Sequence, residues 1–106
     1  MNDPTKITLH LPGEIAGYEG ELTFLFQMMV QKLFINRHKG FAEAMTFEDA
    51  IKLIEGETNE LIRAVTKGEP HFASIAEAVD VANGGVLAAL MLTRLTKPQY
   101  NALKQV

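Results

Sequence analysis

Two pairs of acidic residues stand three positions apart. Glu57 and Glu60 lie in "IEGETNELIRAV", and Glu77 and Asp80 lie in "EAVDVAN". On a helix, residues at this spacing are neighbours, and their oxygens can converge on one ion. Carboxylates crowded in this way repel one another, and burying one alone is costly. A hard divalent cation bound through oxygen relieves both costs, and Mg²⁺ is the usual choice where phosphate is the substrate. Position strengthens the metal reading. Glu57 interrupts an apolar stripe made by Ala50, Leu53, Ile54, Leu61 and Ala64. Between Ala78 and Leu92, Asp80 and Asn83 are the only non-apolar side chains, glycines aside. A buried structural salt bridge is the alternative, but the two segments offer few cations nearby: Arg63, Lys67 and Arg94.

A basic group precedes these pairs. Lys32, Asn36 and Lys39 share one helical face, with Arg37 and His38 close by. Such a face can hold phosphate oxygens. A basic helix C-terminus that stabilises its own dipole is the plainer reading, and it suits Arg37 and His38 better than mid-helix Lys32. His10 and His71 have no evident partner. Other chemistry finds no support. There is no Glu-x-x-His pair of the di-iron bundles, no glycine-rich phosphate loop and no nucleophile arrangement of serine or cysteine.

The elements that must position these residues read as helices. The first runs from about Gly20 to about Lys39, with Gly40 as its stop. Leu22, Leu25, Phe26, Met29 and Leu33 form one apolar stripe, and Phe24, Met28 and Ile35 form a second. The second helix begins near Thr46, where Thr46 and Asp49 suit a capping box, and ends at Lys67-Gly68. The third begins around Pro70 and reaches toward Thr96, before Lys97-Pro98. The short "KGEP" turn makes the second and third helices antiparallel neighbours. Gly84 and Gly85 are unusual in a helix interior; Gly84 makes room for a ligand or a close helix, or the pair kinks the chain. Residues 1–18 read as an extended arm in which Ile7, Leu9 and Leu11 alternate with polar residues. Residues 97–106 read as a short helical or frayed tail.

The 106 residues suit one domain. The expected fold is all-α, an antiparallel bundle of three long helices per chain. A net charge of -3 argues against coating a nucleic acid polymer. Cysteine is absent, which excludes thiolate metal sites and suits the cytoplasm. No N-terminal segment has the order of a signal peptide, and the run Val86 to Leu92 is far shorter than a membrane span.

The order "KLFINRHKG", "EGETNELIRAVTKGEP", "EAVDVAN" resembles the all-α nucleotide pyrophosphohydrolases of the MazG-like group over roughly residues 24–95. The family's Glu-x-x-Glu and Glu-x-x-Asp pairs fall on Glu57, Glu60, Glu77 and Asp80. The chain departs from the pattern at Phe41, where tryptophan is common, and at Gly56, where an acidic residue is common. The resemblance implies Mg²⁺-dependent hydrolysis of a nucleoside or deoxynucleoside triphosphate to monophosphate and pyrophosphate. It implies metal held by the four carboxylates, with Glu57 or Glu60 as base, and substrate held by Lys32, Asn36, Lys39 and Asn83. Two alternatives remain. One is a related enzyme acting on dUTP, phosphoribosyl-ATP or an alarmone. The other is a non-catalytic interaction module of the same fold.

The apolar sequence exceeds what one chain can cover. The third helix is apolar on nearly every side from Val79 to Leu92, and the first carries a second stripe. A homo-oligomer, dimer or tetramer, that completes a bundle of four or more helices is therefore expected.

Overall fold

The computed structural model describes residues 6–40 and 42–103. Residues 1–5 of the expected arm, Phe41, and residues 104–106 of the expected tail lie outside them. The protein is all-helical, with no strand among the described residues. Four α-helices follow in order: α1 Glu19–Ile35, α2 Phe47–Thr66, α3 His71–Thr93 and α4 Lys97–Ala102. Short 3-10 turns occupy Gly13–Tyr18, Arg37–Lys39 and Ala42–Ala44.

α2 carries the clearest local signals. Thr46 accepts from the Asp49 backbone N–H, and Asp49 accepts from that of Thr46, so the capping box forms with aspartate. At the far end Gly68 has φ 67°, a left-handed conformation that glycine adopts without steric cost. Glu69 N–H then reaches Ala64 O, and Gly68 N–H reaches Val65 O, which satisfies the last carbonyls of the helix. The chain reverses at once into α3, which starts behind Pro70.

Three expectations are corrected. Gly13–Tyr18 is a 3-10 helix rather than extended arm, and Ile7 and Leu9 lie exposed with no strand to pair with among the described residues. α1 stops at Ile35, and the chain tightens into 3-10 turns over Arg37–Lys39 before Gly40, at φ 92°, ends the run. α3 stops at Thr93, because Thr96 caps α4 with its own box to Gln99.

α2 and α3 pack against each other along most of their length, and α1 lies on α3. Among the described residues the buried apolar ones are few: Ala50, Ala64, Val79 and Met91. Gly84 explains the close approach. A Cβ there would lie 3.1 Å from Ile54 Cγ1 and 3.7 Å from Ile54 Cα, while a Cβ at Gly85 would meet nothing within 4 Å. Of the readings open for this pair, a close helix is the one realised at Gly84.

One chain leaves much of its surface bare. It exposes 8435 Å², against about 5,900 Å² for a compact monomer of this mass. Its radius of gyration is 16.2 Å, against about 13 Å for a domain of this length. By length and composition α3 would also suffice to cross a membrane, with a window of mean hydropathy 1.6, which the shorter run Val86 to Leu92 did not suggest.

The two adjacent glycines should respond oppositely to alanine. Gly85→Ala gains helix propensity in open space and should raise stability by about 0.5–1 kcal/mol. Gly84→Ala should lose stability despite the same gain, because its methyl pushes against Ile54. Urea unfolding of both variants beside the parent chain measures the difference.

Candidate metal and phosphate site

Glu57 and Glu60 project from α2, and Glu77 projects from the first half of α3. One carboxylate oxygen from each lies within 4.8 Å of the other two. Two of these residues carry an oxygen that is shut from solvent and lacks any hydrogen-bond donor: Glu57 Oε2 and Glu77 Oε2. Glu60 is more exposed, with an oxygen within 4.8 Å of an oxygen of each. Burial, followed by the charges of Asp80, Glu60 and Glu77, pushes the Glu57 carboxyl above its ordinary value. Burial, followed by Glu60 and Asp80, does the same to Glu77, with the Lys32 ammonium opposing. These are acceptor oxygens without a donor, in a cluster without enough positive charge. A small divalent cation that takes oxygen ligands fits that donor set.

Asp80 stands apart from this trio. Its Oδ1 accepts a hydrogen bond from Lys32 Nζ at 2.9 Å, and both side chains are about three-quarters buried. The sequence offered a salt bridge as an alternative but placed the nearby cations on α2 and α3 alone. The partner comes instead from α1. Arg94 pairs with Glu43 at 3.7 Å, and no ion pair forms for Arg63 or Lys67 among the described residues.

Asn83 is buried, and its Nδ2 donates to the Met29 carbonyl at 3.1 Å. That bond fixes the amide, since the opposite rotamer would set oxygen against oxygen. It leaves Oδ1 buried with no donor. Arg37 is also engaged: it donates to the Phe34 carbonyl at 2.8 Å and stacks 4.0 Å above the Phe34 ring. It therefore serves the end of α1, as the plainer reading held.

A cavity of about 270 Å³ opens beside the carboxylates. Lys32, Asn36 and Lys39 line it from the α1 side, with Glu57, Asp80 and Asn83 opposite. All four sequence-expected substrate residues therefore border one cavity, together with two of the four expected metal residues. Glu60 and Glu77 do not line it. Sequence reasoning missed the remaining wall, which includes Met45, Asp49, Leu53 and Leu87. A signal for part of it was present: Asp49, Leu53 and Glu57 recur every four residues along α2, so they form one stripe.

The raised carboxyls give a signed pH dependence. Protons held by Glu57 and Glu77 stabilise the folded chain. That contribution is complete below the ordinary value of 4.5 and is lost as pH rises through the raised values. Asp49 acts in the opposite sense, because the Thr46 backbone N–H and hydroxyl hold its carboxyl below 3.8. Its contribution is present above 3.8 and falls away only in stronger acid. Metal-free protein should therefore lose thermal stability as pH rises above the ordinary glutamate value of 4.5 and through the raised ones. Mg²⁺ or Mn²⁺ should restore it at the upper end. Glu77→Gln should flatten the profile and abolish the metal response, as followed by circular dichroism melts with and without chelator. No family model, curated protein or solved structure matches this chain.

Proposed function

We propose that the protein is a Mg²⁺-dependent hydrolase that cleaves a nucleoside or deoxynucleoside triphosphate to monophosphate and pyrophosphate. The scaffold in this reading is an antiparallel bundle of the three long helices. One observation carries the proposal. Glu57, which carries a buried, donor-less carboxylate oxygen and clusters with Glu60 and Glu77, lines a cavity whose other wall bears Lys32 and Lys39. Cation-seeking oxygens on one side and ammonium groups on the other suit a polyphosphate with its metal. The resemblance to the MazG-like pyrophosphohydrolases points the same way, through Glu57, Glu60, Glu77 and Asp80.

A divalent cation at the carboxylates would neutralise phosphate charge and acidify a water. The chain's own groups do the rest. Glu57, with its carboxyl already biased toward holding a proton, is suited to take one from the attacking water. Glu60, more exposed and adjacent, is the second candidate for that base. The water oxygen bonds to the α-phosphorus, the bond from that phosphorus to the bridging oxygen breaks, and pyrophosphate leaves with the electron pair. Lys39 and Asn36 would hold the phosphate chain. Lys32 would offset the charge that develops on the leaving group, which requires it to exchange its Asp80 contact for a phosphate oxygen. Asn83 would support the site by tying α3 to the Met29 carbonyl of α1.

The test is pyrophosphate release from a panel of ribo- and deoxyribonucleoside triphosphates, with Mg²⁺ and with chelator. At least one substrate should turn over with Mg²⁺ only. Glu57→Gln should lower kcat by about a hundredfold or more, whereas Lys39→Ala should act mainly on KM. A panel in which nothing is cleaved, and nothing binds by calorimetry, removes the enzyme reading.

A further inference from the structure

α1 is apolar on most of its circumference, yet none of its residues is buried in the single chain. On its inner side Leu22, Leu25, Met29 and Leu33 are half-buried, and Lys32 and the Met29 carbonyl bond to α3. Its outer side bears Phe26, Val30 and Phe34, spaced four apart and 39%, 60% and 62% exposed. We infer that this outer stripe is the seam of a symmetric dimer, in which α1 of one copy lies antiparallel on α1 of another.

Three observations select a second copy as the occupant and antiparallel as its direction. The first is area. The chain exposes about 2,500 Å² more than a compact monomer of its mass, from 8435 Å² against about 5,900 Å². An obligate homodimer buries about 1,000–2,500 Å² on each partner. The second is neutrality. From Leu22 to Gln31 no residue is charged. A contact about a two-fold axis brings each group near its own copy, so a charge at the centre would meet its like.

The third is polarity along the stripe. Glu19 stands at its acidic N-terminal end. Arg37 stands at its basic end, anchored over the Phe34 ring and on the Phe34 carbonyl. A two-fold axis level with Met28 sets Phe26 beside Val30 of the other copy and, in the same register, Glu19 beside Arg37. A parallel pairing would set Arg37 against Arg37 and align the helix dipoles unfavourably. The inference stands whether or not the protein is an enzyme.

The chain has no cysteine, so single thiols report the register directly. Gln27 lies one position from the axis. Its two copies are offset by about 3 Å along the helices, within reach of a disulfide, at 1.5 Å rise per residue. Thr23 lies one turn away on the same side, and its copies are about 15 Å apart. Under mild oxidation Gln27→Cys should give a disulfide-linked dimer on a denaturing gel, and Thr23→Cys should stay a single chain. Light scattering behind a sizing column should give at least twice 11.7 kDa for the parent. Val30→Asp should return the mass to one chain while circular dichroism keeps its helical signal. Crosslinking by both thiols indicates a parallel seam and overturns the inference. Crosslinking by neither, or a parent mass of one chain, also overturns it.

Discussion

The attachment of α1 to the rest of the molecule depends on the ion pair between Lys32 and Asp80, with its neighbour, the bond from Asn83 to the Met29 carbonyl. Lys32 and Met29 are one turn apart on α1, as Asp80 and Asn83 are on α3. The two contacts together set the position and direction of α1 across α3. Apolar packing does not fix it to the same degree, because no α1 residue is buried. Lys32, Asp80 and Asn83 also form part of the cavity wall. The orientation of α1 and the shape of the cavity are therefore one structural variable.

The charge balance around that anchor is uneven. Three carboxylates approach one another across α2 and α3, and the one nearby ammonium, Lys32, is paired with a fourth, Asp80. Lys32 compensates Asp80 directly and acts on Glu77 only at longer range. Glu57 and Glu77 each keep a buried oxygen with no donor among the described residues. An acceptor left in that state costs about 1–3 kcal/mol or more. Gly84 sharpens the conflict, since it lets α2 close on α3 at Ile54, one turn from Glu57. The packing that forms the hairpin is thus the packing that crowds its acids, a conflict between levels that is expected of functional sites.

Much of this was legible in the sequence, for local reasons. Thr46 and Asp49, and Lys67-Gly68, announced both ends of α2, because caps act within a few residues. The stripe from Ala50 to Ala64 and the facing of Glu57, Glu60 and Glu77 follow from helical period and a short turn. What was not legible depended on distance in sequence or on competition between ends. Lys32 lies 48 residues from Asp80, and no spacing rule joins them. The basic run Arg37–Lys39 prolonged the helical pattern past Ile35, where the backbone had already tightened into 3-10 turns. The end of α3 moved because Thr96 serves α4 as its cap.

α1 has two duties on opposite sides. Its inner side supplies Lys32 and Asn36 to the cavity, and its outer side carries Phe26, Val30 and Phe34. A helix of this length, held by a few polar contacts and a half-buried stripe, has little of its own to resist rotation about its axis. A turn of 100° shifts the facing residue by one position, enough to take Lys32 away from Asp80. Covering the outer stripe would oppose that rotation, because it adds a second apolar constraint on the side away from α3. Ligand and metal contacts at Lys32 would oppose it from the inner side. Both act on the same rigid element, so each would lower the entropy the other has to remove, which is a positive coupling that needs no change of shape. Assembly of the outer face and occupation of the inner one would then be linked through α1 itself.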